Sequence, residues 1–514
     1  MTRYILFIFL FFYAITTHAQ KVSNVTFRQE QSTIIVSYDL ETKTPCKIYL
    51  FVSKDDGKTW QGPLKKVTGD SGNKIVSGNH SITWNVLEEF EELRGDKIKF
   101  QVRTEGDALE SIATDSLQSN NKIYNDQYLL PFYNKLKKIK TNGETVSILQ
   151  LGDSHMQMGY FTDEMRNHFS SQFGMSSIGN IFPYPIASYK PFYIKTKVLS
   201  GIWEGRNHLK PEDDFKFGFT GFAVKTVSKN ASLEIMPRKY QNEIATGNQV
   251  TIYFTGDDTS TIEIIAINTV KDSTLSFKPS KINFNENSEE KNGWKKIVFN
   301  FDSQINKIVL TVNQPKVLAP FYINGVFLNN TEKGGIIYNN CGVGGAQFSS
   351  LCNNSSLSIS QIKDLNPDLI IFSYGSNESY TKSFTYENYI EMVRKYITTL
   401  KVQLPNTTIL LTSPPDTRSN DRYPINTKPI GLVFKALAKE QALSYWDMTT
   451  QMGGDGSLFK WLKLGLAAKD KLHFTKQGYA LQADLLLEAL FSSYNSNVTD
   501  NEKVNLPIIT TAFK

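Results

Sequence analysis

The chain has 514 residues but only three cysteines and six histidines. No CxxC, HExxH or Cys/His grouping occurs, so neither a structural nor a catalytic metal centre is indicated, and no organic cofactor is called for. The glycine-rich run from Cys341 to Ala346 completes neither a phosphate-loop nor a dinucleotide-binding pattern. After the first twenty residues no segment is apolar for long enough to cross a bilayer, so the mature chain is expected to lack a membrane span. The formal charge of +6 is not gathered into a basic tract, so nothing points specifically to nucleic acid, although an anionic polymer is compatible with it. There is no internal repeat and no low-complexity tract. Hydrophobic residues at 40% and charged residues at 21% fit folded globular domains rather than disorder.

What is present begins with a leader. "MTRYILFIFLFFYAITTHAQ" has Arg3, an apolar run from Tyr4 to Ile15, then Thr17-His18-Ala19. This is the layout of a cleavable secretory signal, assigned to residues 1–19, and it predicts a periplasmic or secreted protein. No cysteine follows the cleavage position to carry a lipid. Export permits disulfides, so Cys341 and Cys352 are a candidate pair whose geometry the sequence leaves open; Cys46 reads as a buried strand residue.

The length predicts about three domains. Residues 20–106 hold short β-rich runs ("STIIVSYDL", "CKIYLFVS", "HSITWNV", "KIKFQVRT") with the turn pair Asp56-Gly57, as in a small immunoglobulin-like sandwich. Residues 107–143 read as a linker with a short helix. From 144 to 199 the pattern becomes α/β. "VSILQL" is a strand covered on both faces, and Phe161, Met165, Phe169 and Phe173 recur at helical spacing. Residues 200–332 return to successive β-runs, read as an inserted jelly roll. The α/β pattern resumes from 333 to 497, ending in an amphipathic helix capped by Thr475, and 498–514 form a tail.

In open α/β sheets, ligands bind beyond the carboxyl ends of the strands. Three segments are expected there. Gly152-Asp153-Ser154-His155 follows the first strand and puts a hydroxyl just before a helix, where free N–H groups can stabilise an oxyanion. "YGSNES" ends another strand with Asn377, an amide donor. "KDKLHF" offers Asp470 and His473 just before the last helix. A hydroxyl, a base for its proton and an anion to orient the base are what nucleophilic acyl transfer requires.

These segments resemble the SGNH hydrolases, the GDSL-type esterases and lipases. The four blocks of that pattern read Gly152-Asp153-Ser154-His155, Gly342 to Ala346, Gly375-Ser376-Asn377-Glu378 and Asp470 to His473. The resemblance implies a flavodoxin-like three-layer α/β/α domain. It also implies Ser154 as nucleophile, His473 as base and Asp470 as its orienter, with the Ser154 and Gly345 N–H groups and the Asn377 side chain receiving the oxyanion. Glu378 stands where the family usually has Asp, and His155 where Leu is commonest. A β-domain between the first two blocks, together with "GDSHMQ" and "GNIFPYP", is similar to bacterial peptidoglycan O-acetylesterases that carry a carbohydrate-binding-module-like jelly roll there. The implied partner is an acetylated glycan, peptidoglycan first.

Weaker features have plainer readings beside these. Ser154 alone would be only a helix cap, Asn377 a turn residue, and an isolated Asp-x-x-His pair a surface loop. Gly342 and Gly344 compete with Gly345 for the oxyanion role. His155 reads as packing or support, Asp153 and Gln157 have open roles, and Asp416 and Asp447 read as structural. The aromatic groups "FPYP", "YKPFY" and "GIW" suit stacking on sugar rings, and core packing explains them equally well. The rival functions are the same site acting on another acetylated polysaccharide or a lipid ester, an acetyltransferase, and a non-catalytic glycan-binding protein.

Overall fold

The computed structural model describes residues 21–507, apart from 43–44, 55, 58–59, 62, 91, 94, 105–120, 210–214, 238, 241–242, 257–258, 271–272, 288–292, 316–318, 354 and 420–423. The expected leader lies outside these residues. The chain divides into two units between Asp115 and Ser116.

In the first unit, residues alternate between buried and partly exposed along Thr33–Glu41, so one face of that strand enters a core. Four antiparallel strands (Lys21–Glu30, Thr33–Glu41, Gly78–Asn85, Val67–Gly69) form one sheet, and three (Gly72–Ile75, Cys46–Ser53, Lys99–Thr104) form another. Ile34, Val36, Leu50, Val52, Ile82, Trp84 and Val102 join in one cluster, so both sheets contribute to a single core. Asp56 and Gly57 both adopt positive φ (67° and 87°), as a tight turn requires. Cys46 is buried on its strand.

The second unit is built on six parallel strands: β1 (Thr145–Gly152), β2 (Met175–Ser177), β3 (Gly335–Gly342), β4 (Leu369–Ser373), β5 (Thr408–Thr412) and β6 (Ser444–Trp446). Their spatial order is β6-β5-β4-β1-β3-β2. With the short edge strand β2 set aside, this is the 2-1-3-4-5 order of flavodoxin-like sheets. β3, β4 and β5 are buried at every position, which demands cover on both faces. Helices α1 (Leu130–Asn142), α3 (Tyr160–Phe173) and α10 (Lys476–Ser496) pack on one another. A second group comprises α4 (Phe348–Cys352), α5 (Ser355–Leu365), α6 (Tyr386–Gln403) and α7 (Thr427–Glu440). The short helices α2 (Ser154–Gln157), α8 (Met448–Gln451) and α9 (Ser457–Lys463) lie in the connections. The stripe Phe161, Met165, Phe169 and Phe173 is the buried face of α3. Thr475 caps α10 by accepting the Gly478 N–H at 3.2 Å.

The lysine-rich stretch read as a linker is partly core. On α1, Phe132, Tyr133, Leu136 and Ile139 are buried, and the Tyr133 hydroxyl donates to the Leu490 carbonyl. Between β2 and β3 the chain forms two large antiparallel sheets, of seven and five strands, and a small two-stranded one (Lys239–Tyr240 with Glu243–Ile244), spanning Gly179 to Asn329. Ile194–Ser200, which the sequence groups with the α/β part, pairs antiparallel with Asn230–Pro237. The cysteine question resolves simply: Cys341, buried on β3, and Cys352, at the end of α4, are both free. Among the described residues no helix is long and apolar enough to cross a membrane.

Candidate active site

Strand register brings three loops together. Gly152, the last residue of β1, lies opposite Gly342 of β3 on one side and Ser373 of β4 on the other. The chain therefore leaves the sheet side by side at 153–154, 343–345 and 374–377, at the point where strand order reverses. A Cβ on Gly152 would stand 2.5 Å from Met156 Cγ and 3.0 Å from the Ser373 carbonyl, so the turn closes only with glycine there. Asp153 Oδ1 accepts the His155 N–H at 3.0 Å and caps α2, which makes Ser154 the first helical residue.

From the far end of the sheet, the loop before α10 reaches the same place. Ser154 Oγ lies 3.1 Å from His473 Nε2, and His473 Nδ1 lies 2.7 Å from Asp470 Oδ2. Asp470 Oδ1 also accepts the N–H groups of Leu472 and His473, at 3.0 and 2.9 Å. Partial burial opposes the charge on Asp470, but these donors outweigh it and hold the carboxyl below its ordinary range. Lys471, inside this loop, sits at φ 58°, and its carbonyl accepts the Arg418 N–H at 2.6 Å. Arg418 is anchored by a buried pair with Asp416 at 2.7 Å, and Asp416 also accepts the Leu458 N–H. Sequence reading assigned Asp416 a structural place but missed Arg418; the Asp-Thr-Arg spacing was the available signal.

In the loop after β3, Gly345 is solvent-exposed at φ +84°, a conformation open to glycine. Asn377 Nδ2 donates to the Ala346 carbonyl at 2.8 Å, which fixes the amide and leaves its second N–H for another acceptor. Glu378 is buried and takes the Phe348 N–H at 2.5 Å and the Tyr389 hydroxyl at 3.2 Å. Residues 377 and 378 thus hold both ends of the segment following Gly345. Burial pushes Glu378 up to about 7, and burial likewise lifts Asp153 to about 6.

His155 supports rather than enters the site. It is buried, with Nδ1 3.2 Å from the Tyr479 hydroxyl and its ring centroid 5.7 Å from that of His473. Burial first, and the neighbouring His473 second, push it down to about 3, so it stays neutral beside His473. Behind the site, His168 of α3 lies 3.3 Å from Glu164 and 3.1 Å from Asp484 of α10. These two carboxylates beside Nε2, Asp484 first, raise it to about 9, tying the helix after Ser154 to the helix after His473. Phe182 and Tyr184 of the aromatic groups pack in the core against Phe222, and Tyr193 is buried.

The arrangement offers a hydroxyl, an imidazole and a carboxylate in one hydrogen-bonded line, with the Gly345 and Asn377 loops leaving the sheet beside it. Residues 276–486 match the family of GDSL-like lipases and acylhydrolases. The chain carries a GDSL-like acylhydrolase domain. Its reaction class is carboxylic ester hydrolysis. The match spans Gly345, Asn377, Asp470 and His473 but begins after Ser154, which the fold brings back to His473 from before the inserted sheets. Among solved structures, the chain is similar to a peptidoglycan O-acetylesterase, with 23% identity, a TM-score of 0.56, and coverage of 71% of this chain and 96% of the other. It is also similar to a family two carbohydrate esterase from Cellvibrio japonicus, at 12% identity and a TM-score of 0.26, covering 59% and 99%. No curated protein matches the sequence.

Proposed function

We propose that the protein is an exported O-acetylesterase of a glycan, with peptidoglycan as the substrate, and that Ser154 is its nucleophile. The line from Asp470 through His473 to Ser154, at 2.7 and 3.1 Å, carries this reading. His473 Nε2 takes the Ser154 proton as Oγ attacks the acetyl carbonyl, and Asp470 stabilises the imidazolium that forms. The tetrahedral oxyanion is received by the Ser154 N–H, the Gly345 N–H and the second N–H of Asn377. Collapse breaks the ester C–O bond. His473 returns the proton to the departing sugar oxygen, and an acetyl-enzyme remains. Water, deprotonated by His473, then releases acetate and restores Ser154.

The glycan assignment draws support from the overall likeness to a peptidoglycan O-acetylesterase and from the two large sheets inserted between the first two blocks. In this reading those sheets are a carbohydrate-binding-like jelly roll, residues 20–106 an immunoglobulin-like module, and residues 1–19 a cleaved leader to the periplasm or exterior. The intact hydrogen-bonded triad argues against a glycan-binding relict. The substrate is tested by following acetate release from O-acetylated peptidoglycan and acetylated xylan side by side. Faster release from peptidoglycan supports the proposal, and release confined to xylan replaces the substrate while keeping the chemistry.

A further inference from the structure

The exposed side of Gly345 faces a side chain of the inserted sheets. Among the described residues other than its own chain neighbours, Leu209 Cδ1 alone lies within 4 Å of the point where a Cβ would stand, at 3.1 Å. Leu209 is half-buried and comes from the inserted sheets, in the turn that follows Trp203–Asn207. That turn is fastened in place. The Leu209 N–H donates to Asn207 Oδ1 at 3.2 Å, and the N–H of buried His208 donates to the Gly221 carbonyl at 3.0 Å. Gly221 in turn packs so tightly on the loop after β3 that a Cβ there would stand 2.5 Å from Val343 Cγ2. The 207–209 turn is thus held against the same loop that presents Gly345.

We infer that Leu209 closes the acyl side of the site and restricts the acyl group to acetyl. The inference rests on the reading of Gly345 as an oxyanion donor, since that places the ester carbonyl beside the residue Leu209 overhangs. Three groups surround that carbonyl: its oxygen, the acyl carbon chain and the sugar oxygen. A branched apolar side chain with no polar atom matches the acyl methyl, whereas a sugar face presents hydroxyls that Leu209 would leave unpaired. A filled apolar wall rejects one extra methylene by about ten- to two-hundred-fold. The inserted sheets would then set acyl selectivity directly, through one side chain.

The test uses the full chain and p-nitrophenyl acetate, butyrate and hexanoate. Wild type should favour acetate over hexanoate by at least about a hundredfold in kcat/KM, and Leu209→Ala should shrink that ratio at least about tenfold. Leu209→Trp should widen the acetate-to-butyrate ratio, and Leu209→Val supplies a milder step if the alanine variant fails to fold. An unchanged ratio in a folded variant that still turns over acetate would overturn the role of Leu209 alone. Absence of Ser154-dependent turnover on all three esters would instead remove the esterase reading, and this inference with it.

Discussion

Replacing Asp470 by Asn tests the acid–base line at its least protected point. Asp470 Oδ1 is held by two backbone N–H groups, from Leu472 and His473. In the variant those donors keep the amide oxygen, so the NH2 group must replace Oδ2, 2.7 Å from His473 Nδ1. A donor then faces Nδ1, and the imidazole keeps its proton on Nε2, where it cannot accept one from Ser154. The charge is lost as well. Two unit charges about 4 Å apart attract by about 4 kcal/mol at an effective dielectric of 20. The Asp470 side chain is 52% exposed, and solvent screening reduces this to about 2 kcal/mol, or about thirtyfold in rate. The tautomer error adds to that, and in serine proteases the same swap costs about 10⁴ in kcat. The expected loss with p-nitrophenyl acetate is therefore about 10²–10⁴ in kcat, with KM and melting temperature close to wild type. A folded Asp470→Asn enzyme within about threefold of wild type would refute the proposed role.

Two further substitutions probe how the site is held. His168 is raised to about 9 from 6.5 by its carboxylate partners, so its stabilising contribution is fully present below pH 6.5 and lost as pH rises through 9. The shift bounds it at about 3 kcal/mol, and 26% side-chain exposure reduces this to about 1–2 kcal/mol. Urea unfolding should show His168→Gln less stable than wild type at pH 6 and nearly equal to it above pH 10; a gap that persists at pH 10 would dismiss the clamp. Lys471 sits at φ 58°, a conformation that glycine adopts freely and β-branched residues resist. Lys471→Gly should keep kcat within about threefold, whereas Lys471→Val should lose about tenfold or more. Equal rates in the two would mean that the backbone of this turn does not set the Asp470–His473 geometry.

The line from Ser154 to His473 was legible because each member sits in a short string with its own local logic: a strand end before a helix, and a carboxylate three residues before an imidazole. What local pattern could not carry was reach. Glu378 stands where Asp is usual, yet its carboxylate takes the N–H of Phe348 at the start of α4, thirty residues earlier in the chain. The aromatic groups after the first block were ambiguous because their partner Phe222 belongs to the inserted sheets. A short helix was expected in the stretch that holds α1, but its lysines masked a core face, which packs on α3 through Phe132 and on α10 through Tyr133. In the same way, Leu209 has no motif; it matters through what it overhangs.

The central claim is that Ser154 carries the acetyl group from an acetylated glycan to water. Its most direct test is acetate released from purified O-acetylated peptidoglycan by the wild-type enzyme and by Ser154→Ala, at equal concentration and matched fold by circular dichroism. The account predicts steady release by the wild type and release at the no-enzyme background by the variant. Equal release by the two proteins would contradict it.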